Sequence, residues 1–299
     1  MDVEQLNVRL FRAVEDSDIQ SVEQVLKMGA NINATKMLGG ETPLIVATSG
    51  GDLTMMEFLL VHGAVLHQAD ANGNFAIHRA TLLGHLDGVK LLVQRGSLTT
   101  LENNDFDTPL MIASVNGYTE IVEYLLSRGV PMMYKVNQKG RSELTLATEQ
   151  GYDTIVKLLL NNGDPSKNRS DEINKALRLA VNKNNFEITR ILLDWGADPN
   201  TRDMAGVPLI IYPLWRNNEP LLYQLLLKGA DVNTRDKNGY TLLMNAIILG
   251  RANFVQILIK SGADLNALQT NGCATALSLA HIFKDSKILE LIENTLKEE

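Results

Sequence analysis

The chain has 299 residues, 45% of them hydrophobic but only 5% aromatic, so it can bury a sizeable core and that core must be aliphatic. Its formal net charge of −7 argues against broad nucleic-acid binding, which needs a basic surface to displace counterions from phosphates. A single cysteine, Cys273, excludes an intramolecular disulfide and a four-thiolate zinc site.

The first segment, "MDVEQLNVRLFRAVEDSD", is charged and lacks the apolar core of a secretion signal. No stretch approaches the roughly 20 apolar residues that a membrane helix needs. The expectation is an intracellular, cytoplasmic chain with no membrane insertion, and the sequons at Asn33 and Asn168 carry no weight without secretion.

From there the chain repeats. Gly29, Gly63, Gly96, Gly129, Gly163, Gly196, Gly229 and Gly262 close successive segments at intervals of 34, 33, 33, 34, 33, 33 and 33 residues. Ala13, Ala47, Ala80, Ala113, Ala147, Ala180, Ala246 and Ala280 keep the same period, with Pro213 filling the one gap. Two landmarks with one period define nine units in a single array over 1–299: 1–36, 37–69, 70–102, 103–136, 137–169, 170–202, 203–235, 236–269 and 270–299.

Each unit predicts two short helices. In the first unit Glu4, Gln5, Glu15 and Asp16 keep an end surface polar. The fourth is the clearest. Thr108 caps the first helix and Pro109 suits its first turn, where no amide donor is lost. Gly117 breaks the chain, Thr119 caps the second helix, and Glu120 sits favourably in its first turn. Ile121, Val122, Leu125 and Leu126 make one apolar face, and Gly129 provides a left-handed C-cap. A polar link follows each unit, as in "ADVNTRDKNG", where Asn238-Gly239 signals a tight hairpin turn. The sixth unit, with "DEINKALRLA", lacks both the turn glycine and Thr-Pro. The seventh puts Pro208 on the threonine position and Pro213 on the alanine position. Proline inside a helix costs about 3 kcal/mol, so that helix is expected to be short, bent or displaced. The last unit closes on the charged "KILELIENTLKEE".

These units resemble ankyrin repeats. The family pattern T-P-L-H-x-A is matched by Thr42-Pro43-Leu44 through Ala47 and by Thr108-Pro109-Leu110 through Ala113, while "FAIHRA" keeps the histidine as His78. "GADPN", "GADVN" and "GADLN", ending at Asn200, Asn233 and Asn266, match the family's loop, at an asparagine that hydroxylases can modify. The resemblance implies an all-α solenoid of helix-turn-helix units with protruding β-hairpin loops, because one helix pair cannot bury its apolar face alone. It also implies a protein partner, bound at hairpin tips and the concave face of the first helices.

Catalytic signatures are missing. His78 and His85 fall on structural positions of the family, and His62 and His67 flank a glycine turn without a carboxylate or cysteine cluster. Neither a phosphate-binding glycine loop nor a nucleophile elbow occurs. The expectation is no enzyme, no metal and no cofactor.

A contact surface is sought where the bland pattern breaks. The resemblance implies that the two residues after "A-x" in each first helix face the concavity; here they are Glu15-Asp16, Ser49-Gly50, Leu82-Leu83, Val115-Asn116, Glu149-Gln150, Asn182-Lys183, Trp215-Arg216, Ile248-Leu249 and Ile282-Phe283. Ile282 and Phe283 are read as capping contacts. At the tips, Met132, Met133 and Tyr134 form a soft apolar group near Lys139 and Arg141. The candidate partner-binding residues are Leu82, Leu83, Val115, Met133, Tyr134, Tyr212, Trp215 and Arg216. The expected function is a protein-interaction scaffold or adaptor whose partner has basic features. The alternatives are a regulatory or inhibitory subunit of an enzyme, or a structural spacer.

Overall fold

The computed structural model describes residues 2–129, 135–163, 169–270, 272 and 274–298. Met133, Tyr134 and Cys273 lie outside the described residues. Within them the chain is all-α, with 18 helices and two isolated β-bridges, Arg202 with Pro208 and Arg235 with Thr241. The bridges sit at the bases of two hairpin loops. The chain divides into two compact units, Met1–Ser166 and Lys167–Glu299.

The first unit holds five helix pairs: α1 (Val3–Glu15) with α2 (Ile19–Lys27), α3 (Pro43–Gly50) with α4 (Leu53–Val61), α5 (Ala76–Leu82) with α6 (Leu86–Gln94), α7 (Pro109–Asn116) with α8 (Thr119–Ser127), and α9 (Glu143–Gln150) with α10 (Asp153–Asn161). The first helices α1, α3, α5, α7 and α9 pack in series, as do α4, α6, α8 and α10. A helix with neighbours on both sides is buried nearly all round. In α7, Leu110, Met111, Ile112, Ala113 and Ser114 are all buried. The Ser114 hydroxyl meets its need locally by donating to the Leu110 carbonyl at 2.7 Å.

The second unit holds four pairs: α11 (Ser170–Asn182) with α12 (Phe186–Asp194), α13 (Ile211–Arg216) with α14 (Glu219–Leu227), α15 (Leu242–Ile248) with α16 (Ala252–Lys260), and α17 (Ala276–Phe283) with α18 (Ser286–Glu298). Its first helices α11, α13, α15 and α17 also pack in series. Each unit opens on a long first helix, α1 and α11, of 13 residues. Leu6, Leu10, Ala13 and Val14 are buried in one, and Ile173, Leu177, Ala180 and Val181 in the other. Asn7 Oδ1 accepts from Asn31 N at 2.8 Å, and Asn174 Oδ1 accepts from Asp198 N at 2.8 Å. The glycine and Thr-Pro missing from the sixth repeat are thus also missing from the first, and α11 is built like α1.

The caps follow the sequence in most units. Thr42, Thr108 and Thr241 each accept from the amide three residues on, at 3.2 Å. Thr119 does not cap α8; it is the first helical residue, and Tyr118 stands at the cap without a side-chain bond. The turn of Gly117 and Tyr118 is one residue shorter than the sequence suggested. In α13 the proline problem is solved by a late start. The helix is six residues long and Pro213 is its third residue, where the missing N–H would have no intrahelical acceptor. The chain reaches it through two tight turns, Ile211 N to Pro208 O and Tyr212 N to Leu209 O, both 3.1 Å.

Candidate functional site

Five hairpin loops are each tied at the base by one side chain. Asp70, Asn103, Asn137, Asp203 and Asp236 each use Oδ1 to accept the amides two and four residues on, at 2.8–3.1 Å. This Asx geometry holds the tight turn that follows. All three carboxylates among them also take a donor from the first helix, nine residues further on. Arg79 Nη2 reaches Asp70 Oδ2 at 3.1 Å, Tyr212 Oη reaches Asp203 Oδ2 at 2.7 Å, and Asn245 Nδ2 reaches Asp236 Oδ2 at 3.1 Å. Guanidinium, phenol and amide do the same mechanical work.

The Tyr212–Asp203 pair leaves an electrostatic mark. Burial first, then the bond to Asp203, push the Tyr212 phenol up to about 12. Burial opposes ionisation of Asp203, but the bonds from Tyr212, Val207 and Ala205 outweigh it and hold the carboxyl below its ordinary value. Tyr212 therefore stays a donor and Asp203 an acceptor. Its ring lies 5.2 Å from that of Trp215, centroid to centroid, tilted by 53°. Tyr212 is half-buried and supports Trp215.

The loop asparagines join one repeat to the next. Asn200 Nδ2 donates to Gly229 O at 3.2 Å and its Oδ1 accepts from Asp231 N at 2.7 Å. Asn33 and Asn233 make the equivalent pairs with Gly63 and Val65, and with Gly262 and Asp264.

The last turns of the first helices present the candidate contact residues. Leu82 and Leu83 are each 43% exposed and Trp215 is 51% exposed, whereas Val115 is half-buried. Arg216 is exposed, and its Nη2 donates to Asn182 Oδ1 at 3.3 Å. Ile282 and Phe283, expected as capping contacts, are exposed. In the first unit, Glu15 pairs with Lys36 at 2.7 Å and Glu149 pairs with Arg141. Sequence reasoning passed over Met37, Leu38 and Met204, which are almost fully exposed at hairpin tips. The signal was their apolar character where other tips carry asparagine, glutamine or lysine.

The histidines have separate structural partners. His78 is buried; its Nδ1 accepts from Phe75 N at 3.2 Å and its Nε2 lies 3.0 Å from Leu101 O. Burial pushes its imidazole down to about 4. His85 Nδ1 lies 3.1 Å from Thr48 O. His62 stacks on Phe58 and contacts its carbonyl, while His67 accepts from Leu98 N, so the two are engaged apart. Among the described residues no group of three or more His, Cys, Asp or Glu is placed to hold a metal ion, and no helix is long and apolar enough to cross a membrane.

A family model described as Ankyrin repeats (3 copies) matches residues 10–103, 110–203 and 211–297. The B-cell lymphoma 3 protein homolog of Mus musculus is 35% identical over 119 residues, which are 40% of this chain and 27% of that protein. Arf-GAP with coiled-coil, ANK repeat and PH domain-containing protein 2 is 38% identical over 97 residues in Gallus gallus, 31% of this chain and 12% of that protein. In Homo sapiens it is 38% identical over 94 residues, 30% of this chain and 12% of that protein. The matches thus span little more than a quarter of the first relative and about an eighth of the others.

Proposed function

This chain belongs to the ankyrin-repeat family, and on that footing we propose that it is a non-enzymatic scaffold or adaptor that binds a partner protein. The contacts are the ends of its first helices and its hairpin tips. The observation that carries this reading is the exposure of Leu82, Leu83 and Trp215 at the last turns of helices whose other apolar residues are buried. Adjacent apolar side chains left in water, as at Leu82 and Leu83, mark interaction surfaces, and tryptophan with arginine, as at Trp215 and Arg216, is the usual anchor chemistry. Helices locked by packing lose little conformational entropy on docking. The candidate contacts within the described residues are Leu82, Leu83, Val115, Trp215 and Arg216, with Tyr212 positioning Trp215. The scaffold needs no cofactor and works in the cytoplasm. The Arf-GAP in one relative's name describes a protein of which the match covers 12%, so that activity is not carried over.

Charge sharpens the reading. The first unit has twelve Lys and Arg against twenty Asp and Glu, a net of −8, and the second has sixteen against fifteen, a net of +1. The preference for a basic partner therefore belongs to the first unit. An affinity capture from native lysate with quantitative mass spectrometry tests the proposal. Wild type is compared with a Leu83→Glu/Trp215→Ala variant shown to be folded by circular dichroism. Loss of a specific partner with the variant supports helix-end binding; retention of every partner contradicts it.

A further inference from the structure

The second unit's first-helix face differs in chemistry from the first unit's. The C-terminal ends of α11, α13, α15 and α17, counting the residue after each helix, present Lys183, Arg216, Leu249, Phe283 and Lys284, with Trp215 beside Arg216. All six are exposed. Lys183, Arg216 and Lys284 make no ion pair with any described residue, whereas Glu15 and Glu149, one position earlier in the repeat than Lys183 and Arg216 at the ends of α1 and α9, are each paired to a basic side chain of a hairpin loop. Arg216 is oriented by Asn182 of the preceding repeat, an amide that leaves its charge unspent. Asp285, beside Lys284 in sequence, uses Oδ1 to accept from Ile288 N at 3.1 Å, as the cap of α18.

We propose that this face binds an acidic segment of a partner protein, one whose Asp or Glu side chains meet Lys183 and Arg216 while an aromatic or leucine side chain packs on Trp215, Leu249 and Phe283. The inference rests on the scaffold reading above and adds the chemistry of the partner. Charge complementarity supports it: uncompensated cations on an apolar face attract a ligand that brings both carboxylates and apolar bulk. Adjacent first helices lie roughly 8–10 Å apart. An extended segment rising about 3.3 Å per residue therefore meets Lys183 and Arg216 with carboxylates about three residues apart. Nucleic acid fits less well, because three cations interleaved with exposed Leu249 and Phe283 do not make a continuous phosphate track.

The test is selection from a random 16-residue peptide library displayed on phage, panned against the full chain. The expected result is enrichment of peptides with net negative charge that contain Trp, Phe or Leu. Binding of a synthetic copy should weaken at least tenfold with Lys183→Glu/Arg216→Glu, recover with Arg216→Lys in place of Arg216→Glu, and fall as salt rises. Selected peptides that are neutral or basic, or that ignore the charge reversal, overturn the inference. If they are lost with Leu83→Glu instead, the scaffold reading stands and this one fails. Tighter binding of a 20-nucleotide thymidine strand to the same residues overturns it in favour of nucleic acid. A concentration-dependent dimer in sedimentation that the charge reversal dissolves overturns it in favour of a second copy of the chain.

Discussion

Apart from Ser17, Lys284 and the uncovered Gly250, the turn between the two helices of a repeat is built differently in the two units. In the first unit Gly51, Gly84 and Gly117 take the left-handed conformation, and a ring from the following repeat lies over each: His85, Tyr118 and Tyr152. In the second unit Asn184 and Asn217 take the same conformation, with φ of 58° and 56°, and Asn185 and Asn218 cap the helices that follow. Asn218 Nδ2 donates to Asn184 Oδ1 at 2.9 Å, so an amide bond stands where the rings stand in the first unit. One backbone shape is thus reached by glycine freedom with ring cover, or by the tolerance of asparagine for that region with amide bonding. The lesson is that the repeat conserves a conformation, and the side chains that stabilise it are exchangeable.

Acid should separate the units most strongly. His78 is held near 4 in the fold against 6.5 for its free side chain, so the unfolded chain binds a proton first as pH falls. Its contribution is fully present above 6.5 and is lost as pH falls towards 4, about 3 kcal/mol in all at 1.36 kcal/mol per unit. The second unit has only His281, which is exposed. Circular dichroism follows both units, while tryptophan fluorescence follows only the second, since Trp195 and Trp215 are the two tryptophans. Urea melts at pH 7 and pH 5 should show the larger loss by dichroism; an equal shift in both signals breaks the comparison.

The turns come next. A Cβ on Gly117 would stand 2.7 Å from Tyr152 Cζ, at a φ of 78°, whereas one on Gly250 meets nothing within 4 Å, at a φ of 64°. Gly117→Ala should cost about 2 kcal/mol and Gly250→Ala about 1 kcal/mol, the latter being the left-handed penalty alone. Equal costs in denaturant melts would mean that the ring cover contributes nothing. Asn218→Ala should cost about 1 kcal/mol, because it removes the cap on Leu221 N and the bond to Asn184. A loss confined to dichroism, without the fluorescence change expected of the second unit, would contradict it. The smallest effect has the opposite sign. Gln224 is buried and neither amide atom finds a partner among the described residues, while Leu91 and Leu158 hold the matching position in the first unit. Gln224→Leu should stabilise by about 0.5–1 kcal/mol, read as a higher midpoint with an unchanged slope.

The helix pairs were legible because burial on two sides imposes both the 33-residue period and the small residue at Ala113 and its equivalents. The caps at Thr42 and Thr108 were legible because a local rule decided them. Two features were not. Tyr118 displaced Thr119 at its cap, and its ring covers Gly84, a contact between repeats that no local pattern encodes. The bond of the Tyr212 hydroxyl to Asp203, nine residues back across a hairpin, is the other. Pro213 was legible: the short or displaced helix expected around it is the six-residue, late-starting α13.

The central claim is that partners dock on first-helix ends. A photo-crosslinking phenylalanine analogue placed singly at Leu83, Trp215, Val61 or Leu227, all of them exposed, tests it in a native lysate. Val61 and Leu227 end second helices. The account predicts a specific protein adduct from Leu83 or Trp215 and none from Val61 or Leu227. Adducts only from Val61 and Leu227 would contradict it.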